Sequence, residues 1–76
     1  MYKIDERLTI EIRFIKYGEY NEKIYEDKFG NELIWFANSS KLECKKWFKV
    51  STKLYQGLDG SGKIAYYRLY NPREVK

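Results

Sequence analysis

The chain has 76 residues, enough for one domain but not for a core that encloses a large active-site cavity. Aromatic residues make up 18% of it, and 15 Lys and Arg against 11 Asp and Glu give a net charge of +4. There is no His, and the single Cys excludes an intrachain disulfide, which is typical of cytosolic proteins. The charged N-terminus lacks the apolar run of a signal peptide, and no segment is apolar over a bilayer's width. We therefore predict one cytoplasmic domain over residues 1–76.

The first predicted strand, residues 8–17, alternates apolar and polar side chains, as a half-buried strand does. Its apolar row consists of Leu8, Ile10, Ile12 and Phe14. Ile15 and Tyr17 then place apolar side chains on the opposite face. This change of parity predicts a β-bulge or a sharp bend within the strand, a feature that curls a strand around a barrel.

The next two predicted strands, residues 23–29 and 32–38, are joined by a turn at Gly30 and Asn31, where positive φ is tolerated. With a two-residue turn, one face of this hairpin carries Tyr25, Asp27, Ile34 and Phe36, and the other carries Ile24, Glu26, Leu33, Trp35 and Ala37. A slip of one residue would exchange the faces of one strand relative to its partner. We expect Leu33 and Trp35 to point inward.

Residues 38–41 form a polar connection in which Ser39 or Ser40 is suited to cap one helical turn over residues 42–45. Two further strands are predicted, at residues 47–56 and 63–70. Pro72 is expected to stop the last strand, because proline cannot donate to a ladder, and to leave a frayed tail.

Five short strands without a long helix predict an all-β domain that closes on itself to avoid open edges. A five-stranded antiparallel OB-like barrel fits this plan best, and an SH3-like barrel is the alternative. The side chains predicted to form the core are Leu8, Ile10, Ile12, Phe14, Leu33, Phe48, Val50, Leu54 and Leu69.

The charge is divided unevenly along the chain. Residues 1–40 hold six Lys and Arg against eight Asp and Glu, a balance of −2, whereas residues 41–76 hold nine against three, a balance of +6. A basic half within a small domain indicates an anionic partner; the alternative is a charge-asymmetric surface that only keeps a small protein soluble.

Aromatic and cationic side chains share the predicted outward rows of the last two strands. Single-strand binders need both, because cations track phosphates and rings stack on bases. The predicted nucleic-acid-binding residues are Trp47, Lys49, Lys53, Tyr55, Tyr66, Arg68 and Tyr70.

Short motifs carry a family resemblance: an aromatic residue, an Asp, a Gly-Asn turn and a Trp-aromatic pair, followed by Tyr, Gly and Arg. They are Tyr25, Asp27, Gly30, Asn31, Trp35, Phe36, Tyr55, Gly57 and Arg68. Over residues 8–70 the chain resembles small OB-fold proteins of phages and mobile elements, which are similar to single-stranded DNA-binding proteins. The chain departs from this pattern at Lys45 and Lys46, where the family has a Gly-Asp turn.

Catalytic and metal-binding patterns are missing from the sequence. Cys44 is a lone thiol beside Glu43 and two Lys, without the paired activating base and orienting group that a Cys nucleophile needs. The acidic residues around the central turn lack the spacing of a calcium loop. Residues 57–62 contain three glycines but not the Gly-Lys-Ser/Thr ending of a phosphate-binding loop. We therefore expect neither enzyme activity nor a cofactor.

These observations predict a non-catalytic protein that binds single-stranded nucleic acid with low sequence preference. DNA is expected as the ligand in preference to RNA. The alternative is a phage or mobile-element inhibitor or adaptor that binds a protein through the same aromatic face. A third alternative is an accessory subunit of a replication or ribonucleoprotein assembly. No membrane partner is expected, and a homodimer is left open.

Overall fold

The computed structural model describes residues 2, 5–37 and 41–75, and the described residues form an all-β barrel without a helix. Its strands are β1 (Arg7–Tyr17), β2 (Lys23–Glu26), β3 (Glu32–Trp35), β4 (Trp47–Leu58) and β5 (Ile64–Glu74). They close in the order β1-β2-β3-β5-β4, and β4 also pairs with β1. The predicted all-β, five-stranded closed barrel is confirmed, and it is consistent with both the OB-like and the SH3-like plan. None of the described residues belongs to a helix long and apolar enough to cross a membrane.

One strand pairing differs from the antiparallel barrel predicted. β3 and β5 run parallel, with Leu33 opposite Tyr67 and Ile34 opposite Arg68, while the other four pairings are antiparallel. A closed ring of five strands cannot alternate in direction all the way round, so at least one neighbouring pair must be parallel. The strand count alone therefore excludes a wholly antiparallel closed barrel.

β1 is shared between two neighbours and bends between them. Residues 7–13 pair with β4, and residues 13–17 pair with β2. The register shifts between Phe14 and Lys16, which leaves Ile15 as the extra residue of a β-bulge. The bulge predicted from the change of parity is confirmed.

The β2–β3 hairpin has a longer loop than the two-residue turn predicted. Tyr25 pairs with Leu33 and Glu26 with Glu32, so residues 27–31 form the loop. Lys23, Tyr25 and Asp27 are buried on the same side as Leu33, whereas Ile24 and Glu26 lie on the other side. Leu33 and Trp35 do point inward, but the assignment of faces on β2 was wrong by one residue.

Asp27 sets the length of that loop. Its Oδ1 atom accepts hydrogen bonds from the backbone N–H groups of Phe29 and Asn31, both at 2.8 Å. Its Oδ2 atom accepts one from the Asn31 amide at 2.8 Å and one from the Tyr2 hydroxyl at 2.7 Å. A carboxylate with four donors stabilises a wide turn that no pattern in residues 23–38 reveals.

The core cluster consists of Ile10, Ile12, Phe14, Tyr25, Leu33, Leu42, Phe48, Val50, Leu54, Tyr67 and Leu69. Eight of the nine predicted core residues belong to this cluster; the ninth, Leu8, is partly buried and packs against it together with Trp35. Tyr25, Leu42 and Tyr67 were not predicted. Leu42 lies in the turn and bends at residues 41–46, where the predicted helical turn does not form. Ser39 and Ser40, named as its caps, lie outside the described residues.

β5 continues to Glu74 instead of stopping at Tyr70. Lys53 pairs with Tyr70 and Ser51 with Arg73, so β5 has an extra residue there, next to the positive φ of Asn71. Pro72 lies in this irregular stretch, where it need not donate to the ladder. The buried Thr52 hydroxyl donates to the Tyr70 carbonyl at 3.0 Å, and Val75 N–H donates to the Lys49 carbonyl at 2.8 Å. The predicted frayed tail is therefore paired as far as Val75.

Candidate functional site

Five of the seven predicted site residues lie together on the outer surface of the β4–β5 hairpin. Lys53 is opposite Tyr70, and Tyr55 is opposite Arg68, while Tyr66 is opposite Gly57. Directly opposed residues of an antiparallel pair point to the same face of the sheet. We call this surface the β4–β5 face and define it by Lys53, Tyr55, Tyr66, Arg68 and Tyr70.

Arg68 lies at the centre of the β4–β5 face. Its strand neighbours are Tyr55 on β4 and Ile34 on β3, and its guanidinium carbon is 4.8 Å from the ring centroid of Phe36. This cation–π contact adds Phe36, whose side chain is 47% exposed, to the rim of the face. Phe36 was not among the predicted site residues, although the apolar character of both faces of its strand was the signal for it.

Tyr70 is the most exposed ring of the β4–β5 face, at 54%. Its ring meets that of Tyr55 edge to face, with centroids 5.6 Å apart and planes at 79°. This is a favourable aromatic geometry. A perpendicular pair cannot cover both faces of both rings, so the face retains aromatic surface on which a planar group can stack.

Tyr66 lies over Gly57. A Cβ atom at position 57 would overlap the outer end of the Tyr66 ring, so glycine allows the ring to lie close to the β4 backbone. Aromatic side chains often cover a cross-strand glycine in this way. Tyr66 is therefore a partly buried cover for β4 rather than a free ring.

A carboxylate already contacts one end of the β4–β5 face. The Tyr55 hydroxyl donates to Asp5 Oδ1 at 3.2 Å, and Lys53 Nζ is 3.9 Å from the same oxygen. Partial burial of the phenol, together with the negative charge of Asp5, raises the pKa of Tyr55. The cation and the phenol donor at this end can thus both engage one anionic oxygen.

Trp47 and Lys49, the other two predicted residues, lie farther along β4 beside β1, opposite Arg13 and Glu11. The Trp47 ring is contacted by Arg13, 4.8 Å from its centroid, and by Lys28 Nζ at 5.1 Å. These cations are themselves paired, Arg13 with Glu26 at 2.6 Å and Lys28 with Glu11 at 2.8 Å. The structure therefore separates Trp47 from the β4–β5 face and occupies its ring with cations of this chain.

The glycine-rich loop between β4 and β5 is held together by Asp59. Its Oδ1 atom accepts hydrogen bonds from the backbone N–H of Ser61 at 2.8 Å and of Lys63 at 3.1 Å, and from the Ser61 hydroxyl at 2.6 Å. These donors hold the pKa of Asp59 below its usual range. The amides of Ser61 and Lys63 are thus bonded to a carboxylate and do not face a phosphate.

Two large side chains flank a shallow groove next to the C-terminal end of β3. Tyr20, which is 81% exposed, and Phe36 line it together with residues 21, 22 and 37. The groove adjoins Arg68 through Phe36, so it extends the candidate surface beyond the β4–β5 face. Within the part of the chain that the structure describes, no three His, Cys, Asp or Glu side chains are grouped to hold a metal ion.

Comparisons with protein-family models, with curated proteins and with solved structures found no match to this chain. The resemblance to small phage and mobile-element OB-fold proteins therefore stays a prediction from the sequence.

Proposed function

We propose that the β4–β5 face binds single-stranded nucleic acid with low sequence preference, and that single-stranded DNA is the ligand to test first. The observation that supports this proposal most is the position of Arg68, opposite Tyr55 and in contact with Phe36. A phosphate bound at Arg68 would have aromatic rings on either side for the neighbouring bases. Cation and ring are the two groups that a sequence-tolerant single-strand site requires.

The charge distribution supports the same proposal. Nine Lys and Arg against three Asp and Glu occur in residues 41–76, the half of the chain that contains β4 and β5. Binding by these cations would release counterions from the nucleic acid, so affinity would fall steeply with salt. Rings stack on any base and cations contact the phosphates that all sequences share, which is why we propose low sequence preference.

The test is a fluorescence anisotropy titration of a labelled oligo-dT with wild-type protein, Arg68→Gln and the control Lys45→Gln. Both variants lose one positive charge, but Lys45 is exposed and lies outside the β4–β5 face, so Lys45→Gln controls for the change in net charge. We expect wild type and Lys45→Gln to bind similarly at low salt and Arg68→Gln to bind at least tenfold more weakly. Repeating the titration at higher salt should weaken wild-type binding strongly.

Equal weakening of both variants would indicate attraction by net charge alone, and no wild-type binding at low salt would reject the proposal.

The second candidate, a protein-binding module, is favoured by the exposed Tyr20 and Phe36 beside their shared groove. Large exposed rings of this kind are enriched at protein interfaces. That function predicts binding through the same rings with little dependence on salt.

A further inference from the structure

Asp5 is held against the β4–β5 face by its backbone as well as by its side chain. Its N–H donates to the Leu54 carbonyl at 3.2 Å, which places it beside the neighbouring Tyr55. Its φ of 62° is in the left-handed region, which Asp tolerates better than most residues. The contact of the carboxylate with Tyr55 and Lys53 therefore follows from the path of the chain next to β4.

The two groups that Asp5 contacts are a phenol donor and an ammonium cation. A carboxylate oxygen and a phosphate oxygen are both anionic acceptors, and a hydroxyl donor next to a Lys can bind either. Asp5 Oδ1 lies 3.2 Å from the Tyr55 hydroxyl and 3.9 Å from Lys53 Nζ. Both distances exceed the range typical of strong charge-assisted hydrogen bonds.

The contact is also exposed to solvent, since the side chain of Asp5 is 68% exposed and that of Lys53 is 41% exposed. Exposed ion pairs of this kind contribute little to stability. A phosphate can therefore displace the carboxylate without unfolding any part of the barrel.

We propose that Asp5 occupies the phosphate position at Lys53 and Tyr55 and competes there with the nucleic-acid ligand. This inference rests on the proposed function of the β4–β5 face. The chain thus carries its own weak competitor, which lowers affinity for the ligand. Removal of the negative charge at position 5 frees both groups to bind phosphate.

The experiment compares Asp5→Asn with Glu6→Gln, which makes the same change of net charge at the neighbouring exposed residue. Both are titrated with labelled oligo-dT at low salt beside wild type. We expect Asp5→Asn to bind about two- to fivefold more tightly than Glu6→Gln, the range for loss of a weak exposed ion pair. If Asp5→Asn binds no more tightly than Glu6→Gln, the inference is overturned while the proposed function stands.

A second measurement follows the contact without nucleic acid. Because the Asp5 carboxylate contributes to the raised pKa of Tyr55, an NMR titration of the phenols should show a lower Tyr55 pKa in Asp5→Asn but not in Glu6→Gln. An unchanged Tyr55 pKa in Asp5→Asn would overturn the inference. Binding of oligo-dT by neither wild type nor any variant would overturn the proposed function and the inference together.

Discussion

Lys23 is only 2% exposed, although Lys is rarely buried so completely without a partner. Its Nζ atom lies 3.4 Å from Glu43 Oε1 and 4.6 Å from the centroid of the Trp35 ring, but it has no hydrogen-bond partner among the described residues. The ammonium group is thus compensated by one carboxylate and one ring. Burying this charge costs free energy that the pair recovers only in part.

We predict opposite effects for the two partners of this pair. Lys23→Met removes the buried charge and keeps most of the side-chain volume, so its free energy of unfolding should equal or exceed that of wild type. Glu43→Gln leaves the ammonium uncompensated and should cost about 2 kcal/mol, less than for a fully buried pair. Urea denaturation measures both, with the exposed Lys45→Met as the control. A large loss in Lys23→Met would show that the pair stabilises the fold.

Asp27 gives the fold a dependence on pH. Burial alone would raise the pKa of Asp27, but hydrogen bonds from Asn31, Tyr2 and the backbone of Asn31 and Phe29 outweigh it and hold the pKa below its ordinary value. A depressed pKa in the folded state stabilises the protein above the unfolded-state pKa. That stability is lost as the pH falls through the folded-state pKa.

We therefore predict that Asp27→Asn is less stable than wild type by roughly 2 kcal/mol at pH 7, because one amide oxygen can replace only one of the two carboxylate oxygens, each of which accepts two hydrogen bonds. Below about pH 4, the ordinary pKa of Asp in the unfolded chain, the stability that comes from the depressed folded-state pKa declines, so the difference should become smaller. Urea denaturation at pH 7 and pH 3 measures it. A difference of the same size at both pH values would contradict this account.

On the β4–β5 face, we expect the cations to contact phosphates and the rings to stack on bases. If nucleic acid is the ligand, Lys53→Ala should weaken binding to all sequences alike and reduce the salt slope by about one ion. Tyr70→Ala should cost roughly 1–3 kcal/mol by loss of stacking and leave the salt slope unchanged. Titrations at several salt concentrations separate the two effects. Equal salt slopes for Lys53→Ala and wild type would remove Lys53 from the phosphate path.

The strands that could be predicted from the sequence are those whose alternation is regular. Residues 8–14 and 47–54 keep a strict period of two, and their inward rows were assigned correctly. The bulge at Ile15 could be predicted because it interrupts that period within one strand. The rows of β4 and β5 also identified five side chains that do lie on one face.

The features that could not be predicted depend on residues distant in the chain. The β2–β3 register follows from a loop in which Asp27 accepts hydrogen bonds from Phe29 and Asn31 and also from Tyr2, 25 positions away. The Trp47 ring is covered by Arg13 and Lys28, which only the fold brings beside β4. The alternation along a strand indicates which of its sides is buried. It does not indicate which side chains from other parts of the chain contact its outer side.

The acidic and basic halves of the sequence form two parts of one barrel. Residues 1–40 contain β1, β2 and β3, and residues 41–76 contain the β4–β5 hairpin. The two parts meet where β1 pairs with β4 and where β3 pairs with β5. The core draws side chains from both, so neither part can bury its apolar surface alone.

We predict that peptides of residues 1–40 and 41–76 are unfolded separately and form the barrel when mixed. Their balances of −2 and +6 should favour association, so the dissociation constant should rise with salt. Circular dichroism of the mixture and isothermal titration calorimetry measure folding and affinity. As a control, Val50→Asp in the second peptide places a charge in the core and should abolish folding. Stable structure in either peptide alone would contradict the prediction.

The parallel pairing of β3 and β5 determines where a further strand can be added to the barrel. In a closed ring, directions can alternate throughout only if the number of members is even. This ring has five members and one pair that breaks the alternation. A sixth strand would restore alternation at one position only, between β3 and β5 and opposite in direction to both. An extended segment grafted into this barrel by design should therefore be inserted there, where each of its neighbours would be antiparallel.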